Sequence, residues 1–298
     1  MTQILGLLTP DYVMLASDRL LTWQGGPNDG RVFRDEECKL VCVNNLAGIG
    51  YTGLARLGGR PAHEWIGVTL ATANCRRPRD AVEALAAHAP TAVRQVARHL
   101  RGLTFLTAGW DWFDDPPVLR PHFALVSNTF DGTGQRLSTP VDSFTVHVRL
   151  LKADEGFAWH SVGQPLVTER AQALDRNLRR LVQRSIGPKE ALRYLVEEIQ
   201  FTSESASSVG DRILAMCIPV SSVKQTLSTG HSMMLASLPD PQVSTFSYFD
   251  PTHNDFCQFG PTYVSGQMAT TDVETESRPE ENFQSSSMRI LHLPPKTT

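Results

Sequence analysis

Short apolar runs and longer stretches of helical spacing follow one another along this chain in a definite order. Residues 4–8 and 12–17 are apolar and flank Thr9-Pro10-Asp11, a turn signal, so the opening reads as a hairpin. Residues 39–43 and 46–52 form a second pair around Asn44-Asn45, a dipeptide that tolerates the positive φ of a tight turn. Residues 54–73 and 79–100 carry apolar positions at helical spacing, with Pro61 near the start of the first. Strand signals return at 103–109, 122–127, 144–151 and 156–161, with Asp114-Asp115-Pro116-Pro117 as a break. Residues 165–183 read as a helix. Another follows Gly187, where Pro188 and Glu190 supply the proline and acid of a first turn. Residues 213–220 are a further strand, and 233–238 and 243–249 are added strands. Residues 274–287, polar with Pro279 and three consecutive serines, read as disordered.

Strand pairs, two helices, strands, two helices and a strand predict a layered α+β sandwich rather than a parallel βαβ wind. The expected division is a domain over residues 2–220 and an extension over 221–298.

Composition narrows the function. With 41% hydrophobic and 20% charged residues over 298 positions, the chain is of ordinary globular type. A net charge of −3 gives no basic excess for nucleic acid, and no apolar run is long enough for a membrane span. Asp11 and Asp18 interrupt the N-terminal apolar residues, unlike a signal peptide. Five cysteines without C-x-x-C spacing suit a reducing cytoplasm. The histidines lack metal-ligand spacing, no phosphate-binding loop is present, and no cofactor is expected. Asp111, Asp114 and Asp115 read as a solvated turn rather than a cation site.

Four features bear on chemistry. Thr2 follows the initiator Met1, and removal of Met1 would place a hydroxyl and a basic amine on one Cα. Asp18 ends an apolar strand, where a buried carboxylate needs a partner. Lys39 enters the apolar run 40–43 and is a candidate for that partner, its ammonium lowering the pKa of a nearby nucleophile. Residues 48–55 run through Gly53 towards a helix, whose first N–H groups would face an oxyanion. Singly, each has an ordinary structural explanation.

Together they resemble the proteasome β subunits and their bacterial relatives, N-terminal-nucleophile hydrolases. The sixteen-residue step from Thr2 to Asp18 and the fourteen-residue step from Lys39 to Gly53 match that family's pattern. Thr22 falls on its substrate-contacting threonine, and Tyr51 and Ala55 on its pocket wall and substrate-pairing positions. Ala108-Gly109-Trp110-Asp111 resembles its Gly-x-Asp strand end, and His160-Ser161-Val162-Gly163 its Ser-Thr-Gly-Ser turn, with Gln164 replacing the last serine. Residues 205–210 fall on its Asp-x-x-Ser-Gly segment, with Glu204 as the nearest acid and Ser207 or Ser208 as the serine.

The resemblance implies a four-layer αββα sandwich and a threonine-type peptidase in a self-compartmentalising homo-oligomeric ring, activated by loss of Met1. It implies a peptide or other amide substrate and, by analogy, an ATPase partner. An inactive structural subunit and a small-molecule amidohydrolase are the alternatives.

Overall fold

The computed structural model describes residues 2–22, 28, 30–34, 37–44, 46–185, 187–221 and 223, and five later strands within 246–292. The chain opens with β1 (Gln3–Leu8) and β2 (Tyr12–Asp18), then a small pair, β3 (Leu21–Thr22) and β4 (Val32–Arg34). Next come β5 (Leu40–Val43), β6 (Ala47–Gly53) and a second small pair, β7 (Arg56–Leu57) and β8 (Arg60–Pro61). Helices α1 (Ala62–Thr72) and α2 (Pro78–Val93) precede the long hairpin of β9 (Leu103–Phe113) and β10 (Val118–Ser127). Strands β11 (Thr145–Leu150) and β12 (Ala158–Gly163), helices α3 (Thr168–Gln183) and α4 (Pro188–Ser205), and β13 (Ile213–Pro219) follow. The last strands are β14 (Phe246–Asp250), β15 (Asp255–Cys257), β16 (Thr262–Val264), β17 (Gln267–Asp272) and β18 (Ser287–His292).

Two large sheets result, ordered β12-β1-β2-β13-β14-β15 and β11-β10-β9-β6-β5-β16-β17-β18. Strands β1, β2, β5 and β6 are buried along almost their whole length, which is why they read as apolar runs, whereas β11 exposes Val146 and Val148. In β1, Ile4 and Leu8 face the other sheet, where they meet Leu40, Leu106 and Trp110. The intervening Leu5 and Leu7 face Leu174, Leu178 and Leu195 of α3 and α4. On the far side, Val41, Val43 and Ile49 pack beneath Ile66, Leu70 and Leu85 of α1 and α2. Three apolar layers between four structural ones make the fold an αββα sandwich, as expected. The Trp110 indole N–H donates to the Ile218 carbonyl at 3.0 Å, a polar tie between the sheets.

Several boundaries differ from the sequence reading. The first helix starts at Ala62 rather than at residue 54, because Arg56–Pro61 turns back on itself through Gly58 and Gly59, both at positive φ. The second helix ends at Val93, and a 3-10 turn at Arg98–Leu100 leads into β9. Strand β9 continues to Phe113, so Gly109 lies within it rather than near its end. Helix α4 starts after Gly187 with Pro188 and Glu190 in its first turn. Strands β14 to β18 join both sheets, and β16 runs parallel to β5, so the sheets are not wholly antiparallel. Residues 233–238 and 274–286 lie outside the described residues. Among the described residues, no helix is long and apolar enough to cross a membrane.

His122 on β10 is buried, with its ring edge on Phe113 at 5.3 Å between centroids. Burial lowers its pKa from 6.5 to about 4, with Asp111 opposing. Between those values the unfolded chain binds a proton that the folded chain refuses, so stability falls as pH drops from about 6.5 towards 4. The loss attributable to His122 should approach about 3 kcal/mol. His122→Phe should flatten this part of a pH series of urea unfolding curves; an unchanged slope would assign the acid sensitivity elsewhere.

Candidate active site

Three strand ends converge on one point. Thr2 precedes β1, Asp18 ends β2 beside it, and Lys39 lies just before β5 in the opposite sheet. The β1–β2 register sets Ile4 against Ser17, which brings the start of one strand to the end of the other. Thr2 is 6% exposed, and Asp18 and Lys39 are 0% exposed.

The Lys39 Nζ donates to Thr2 Oγ1 at 2.7 Å, to Asp18 Oδ2 at 2.9 Å and to the Leu20 carbonyl at 2.5 Å. Three acceptors match the three N–H bonds of an ammonium. Asp18 is equally occupied. Its Oδ1 accepts the Gln3 N–H at 2.7 Å, and its Oδ2 accepts those of Leu20 at 3.1 Å and Gly210 at 3.3 Å. Burial lowers the pKa of Lys39, while the Asp18 charge and hydrogen bond push it back up. The outcome is a buried cation held against the hydroxyl of Thr2, supported by a carboxylate tied to three backbone segments.

Gly163 and Gln164 hold Thr2 from the other side. The Gln164 N–H donates to the Thr2 carbonyl at 2.7 Å. Gly163 has φ +92°, and a Cβ there would lie 1.8 Å from that carbonyl oxygen, so only glycine fits. The strand expected over 156–161 runs on as β12 to Gly163, through the residues that the resemblance placed in a turn, and its end clamps the backbone of Thr2.

The other candidate residues are spread more widely. Gly53 is exposed at the end of β6 with φ +108°, and the β7–β8 hairpin separates it from α1. Its N–H therefore does not belong to a helix N-terminus, which corrects the expectation of helix-dipole support. Thr22 is half-buried on β3. Tyr51 is buried under α1, its hydroxyl proton shared between the Cys38 carbonyl at 2.9 Å and Glu37 Oε1 at 3.3 Å. Ala55 is half-buried, and its carbonyl accepts the first N–H of α1. Glu204 and Ser207 are exposed and Ser208 is half-buried; none hydrogen-bonds to Thr2. Their segment reaches the site through the Gly210 N–H.

Sequence reasoning missed Gly210 as a backbone donor and Glu37, whose Oε1 meets both Tyr51 and His63 Nδ1, the latter at 3.1 Å. No residue-type signal marks a backbone donor. Of the three aspartates expected in a solvated turn, Asp111 is instead buried within β9, and both Asp111 and Asp114 are engaged by protein groups. Asp111 accepts the Arg79 and Trp112 N–H groups, and Asp114 pairs with Arg120.

Removing one partner of a buried ion pair leaves an uncompensated charge, costing about 3–5 kcal/mol. Lys39→Met should show a loss of that size in urea unfolding. Adding Asp18→Asn to it should recover part of the loss, because the orphaned charge is then gone. A double variant less stable than Lys39→Met would overturn this account.

Known proteins resemble the chain only distantly. No family model and no curated protein matches it. Among solved structures, it is similar to a Gly-1 mutant of Anbu from Hyphomicrobium sp. strain MC1, at 16% identity and a TM-score of 0.45, over 72% of this chain and 82% of that one. It is also similar to the eukaryotic HslV from Trypanosoma brucei, at 16% identity and a TM-score of 0.39, over 73% of this chain and 99% of that one. The fold stands on its own layers, an αββα sandwich that holds Thr2, Asp18 and Lys39 in a single hydrogen-bonded chain.

Proposed function

We propose that this protein is a threonine-nucleophile amide hydrolase, most simply a peptidase, activated by removal of Met1. The observation that carries this reading is the 2.7 Å bond from the buried Lys39 ammonium to Thr2 Oγ1. A cation at that distance favours the deprotonated hydroxyl, and a buried threonine on a purely structural strand end has no need of one.

While Met1 is attached, the Thr2 nitrogen is an amide and cannot serve as a base. After its removal, the Thr2 amine takes the hydroxyl proton, directly or through water, and Oγ1 attacks the amide carbonyl. The Gly53 N–H is the proposed oxyanion donor. The tetrahedral intermediate collapses to an ester on Thr2 as the proton passes to the leaving amine, and water then cleaves that ester. The mechanism gives no role to Glu204, Ser207 or Ser208. The resemblance to proteasome β subunits also carries with it a homo-oligomeric ring enclosing the site, an assembly that light scattering would reveal. An inactive structural subunit is the competing reading, favoured by Gln164 in place of the family's serine and by Glu204, Ser207 and Ser208 lying without a hydrogen bond to Thr2.

A peptide epoxyketone tests the proposal, because it forms its ring only with the hydroxyl and free amine of one terminal residue. Labelling should map to Thr2 in protein whose mass shows loss of Met1, and should vanish in Thr2→Ala. That variant should lose turnover by at least about 10⁴-fold, while Thr2→Ser keeps a measurable fraction. Failure to label protein that has lost Met1 would favour the structural-subunit reading. The alkaline side of the pH profile should fall as Lys39 loses its proton, and it should do so below the ordinary lysine range, since burial lowers that pKa. A profile flat through that range would remove Lys39's charge from the mechanism.

A further inference from the structure

A half-open cavity of about 620 Å³ lies beside the candidate site. Its near wall includes Gly53, Gly163 and Gln164, and the last two also pack on the Thr2 carbonyl. Thr2 does not itself line the cavity, but a molecule extending from it past Gly163 and Gln164 would come to Thr2.

The charge of the wall is one-sided. Among the described residues lining the cavity, Arg136 is the charged side chain, His99 and His160 are imidazoles, and there is no aspartate or glutamate. Arg136 carries a permanent charge, and no carboxylate pairs with it among the described residues. The acids of its own loop are engaged elsewhere. Asp131 Oδ1 accepts the Thr133 hydroxyl at 2.7 Å and the Thr133 and Gln135 N–H groups at 2.8 and 2.9 Å, and Asp142 pairs with Arg101 at 2.8 Å. Burial lowers the pKa of His160, with Arg149 adding to the effect, so it contributes a neutral hydrogen-bonding ring. Ser161, in the same wall, has a buried hydroxyl without a protein partner. Apolar groups such as Leu103 and Trp159 complete a surface suited to a short chain ending in an anion.

We infer that this cavity receives a carboxylate of the substrate, so that the enzyme prefers amides bearing an acidic group close to the scissile bond. This deepens the hydrolase reading and rests on it. The decisive residue is Arg136, a specificity determinant whose guanidinium suits a carboxylate's two oxygens.

Binding and turnover test it separately. On Thr2→Ala protein, calorimetry should detect glutarate and not the uncharged glutaramide, and Arg136→Gln should weaken glutarate about fivefold, the upper end for an exposed ion pair. Arg136 is exposed, so that variant should fold. On processed protein, three peptides separate the sources of the anion: a capped peptide with glutamate, its glutamine counterpart, and the glutamine peptide with a free C-terminus. A kcat/KM advantage for either acidic peptide that shrinks in Arg136→Gln supports the inference and identifies which carboxylate is read. Equal binding of glutarate and glutaramide, or turnover without acidic preference, overturns it while leaving the hydrolase reading intact. Glutarate binding without turnover of any peptide by processed protein would overturn that reading instead, and with it the assignment of the anion as substrate.

Discussion

A lysine ammonium excluded from water must find three acceptors, and the open end of this sandwich is arranged around that need. Lys39 enters from one sheet, and all its acceptors belong to the β1–β2 side: a hydroxyl, a carboxylate and a carbonyl. The two sheets are thus joined at this end by charge, whereas elsewhere they are joined by apolar packing and the Trp110 indole. Asp18 cannot be exchanged for a neutral group without stranding the cation, and Lys39 cannot be removed without stranding the anion. Thr2 is held by both.

The site was legible from sequence where chain-local geometry determines it. Thr2 and Asp18 lie at the two open ends of one hairpin, so their separation is a consequence of strand length and of the Thr9-Pro10-Asp11 turn. Lys39 was legible as a charged residue entering an apolar strand and so as a candidate partner for Asp18; the 2.9 Å contact itself depends on two sheets stacking, which no local pattern encodes. The layered fold followed from the order of periodic segments, because the central strands bury both faces and α1, α2, α3 and α4 cover the apolar surfaces outside them.

What escaped the sequence was mostly backbone. Helical spacing from residue 54 concealed the Gly58-Gly59 turn, which delays α1 to Ala62 and leaves Gly53 at a bare strand end. Gly163 was read as part of a loop although its value lies in having no side chain against Thr2. The segment 205–210 was searched for an acid and a serine, but it supplies the amide of Gly210. Strands β14 to β18 lengthen both sheets by pairing; the sequence suggested added strands in this extension, but not which sheet each would join.

The Asp18 carboxylate is reached by amides from Gln3, Leu20 and Gly210, so the first, early and late parts of the chain must all be in place before it is fully solvated by protein. A nascent or partly unfolded chain, even one already trimmed of its first residue, would present an ordinary threonine with no organised field around it. On the proposed hydrolase reading, reactivity would wait for the completed architecture, which would then act as the latch that keeps the immature polypeptide harmless.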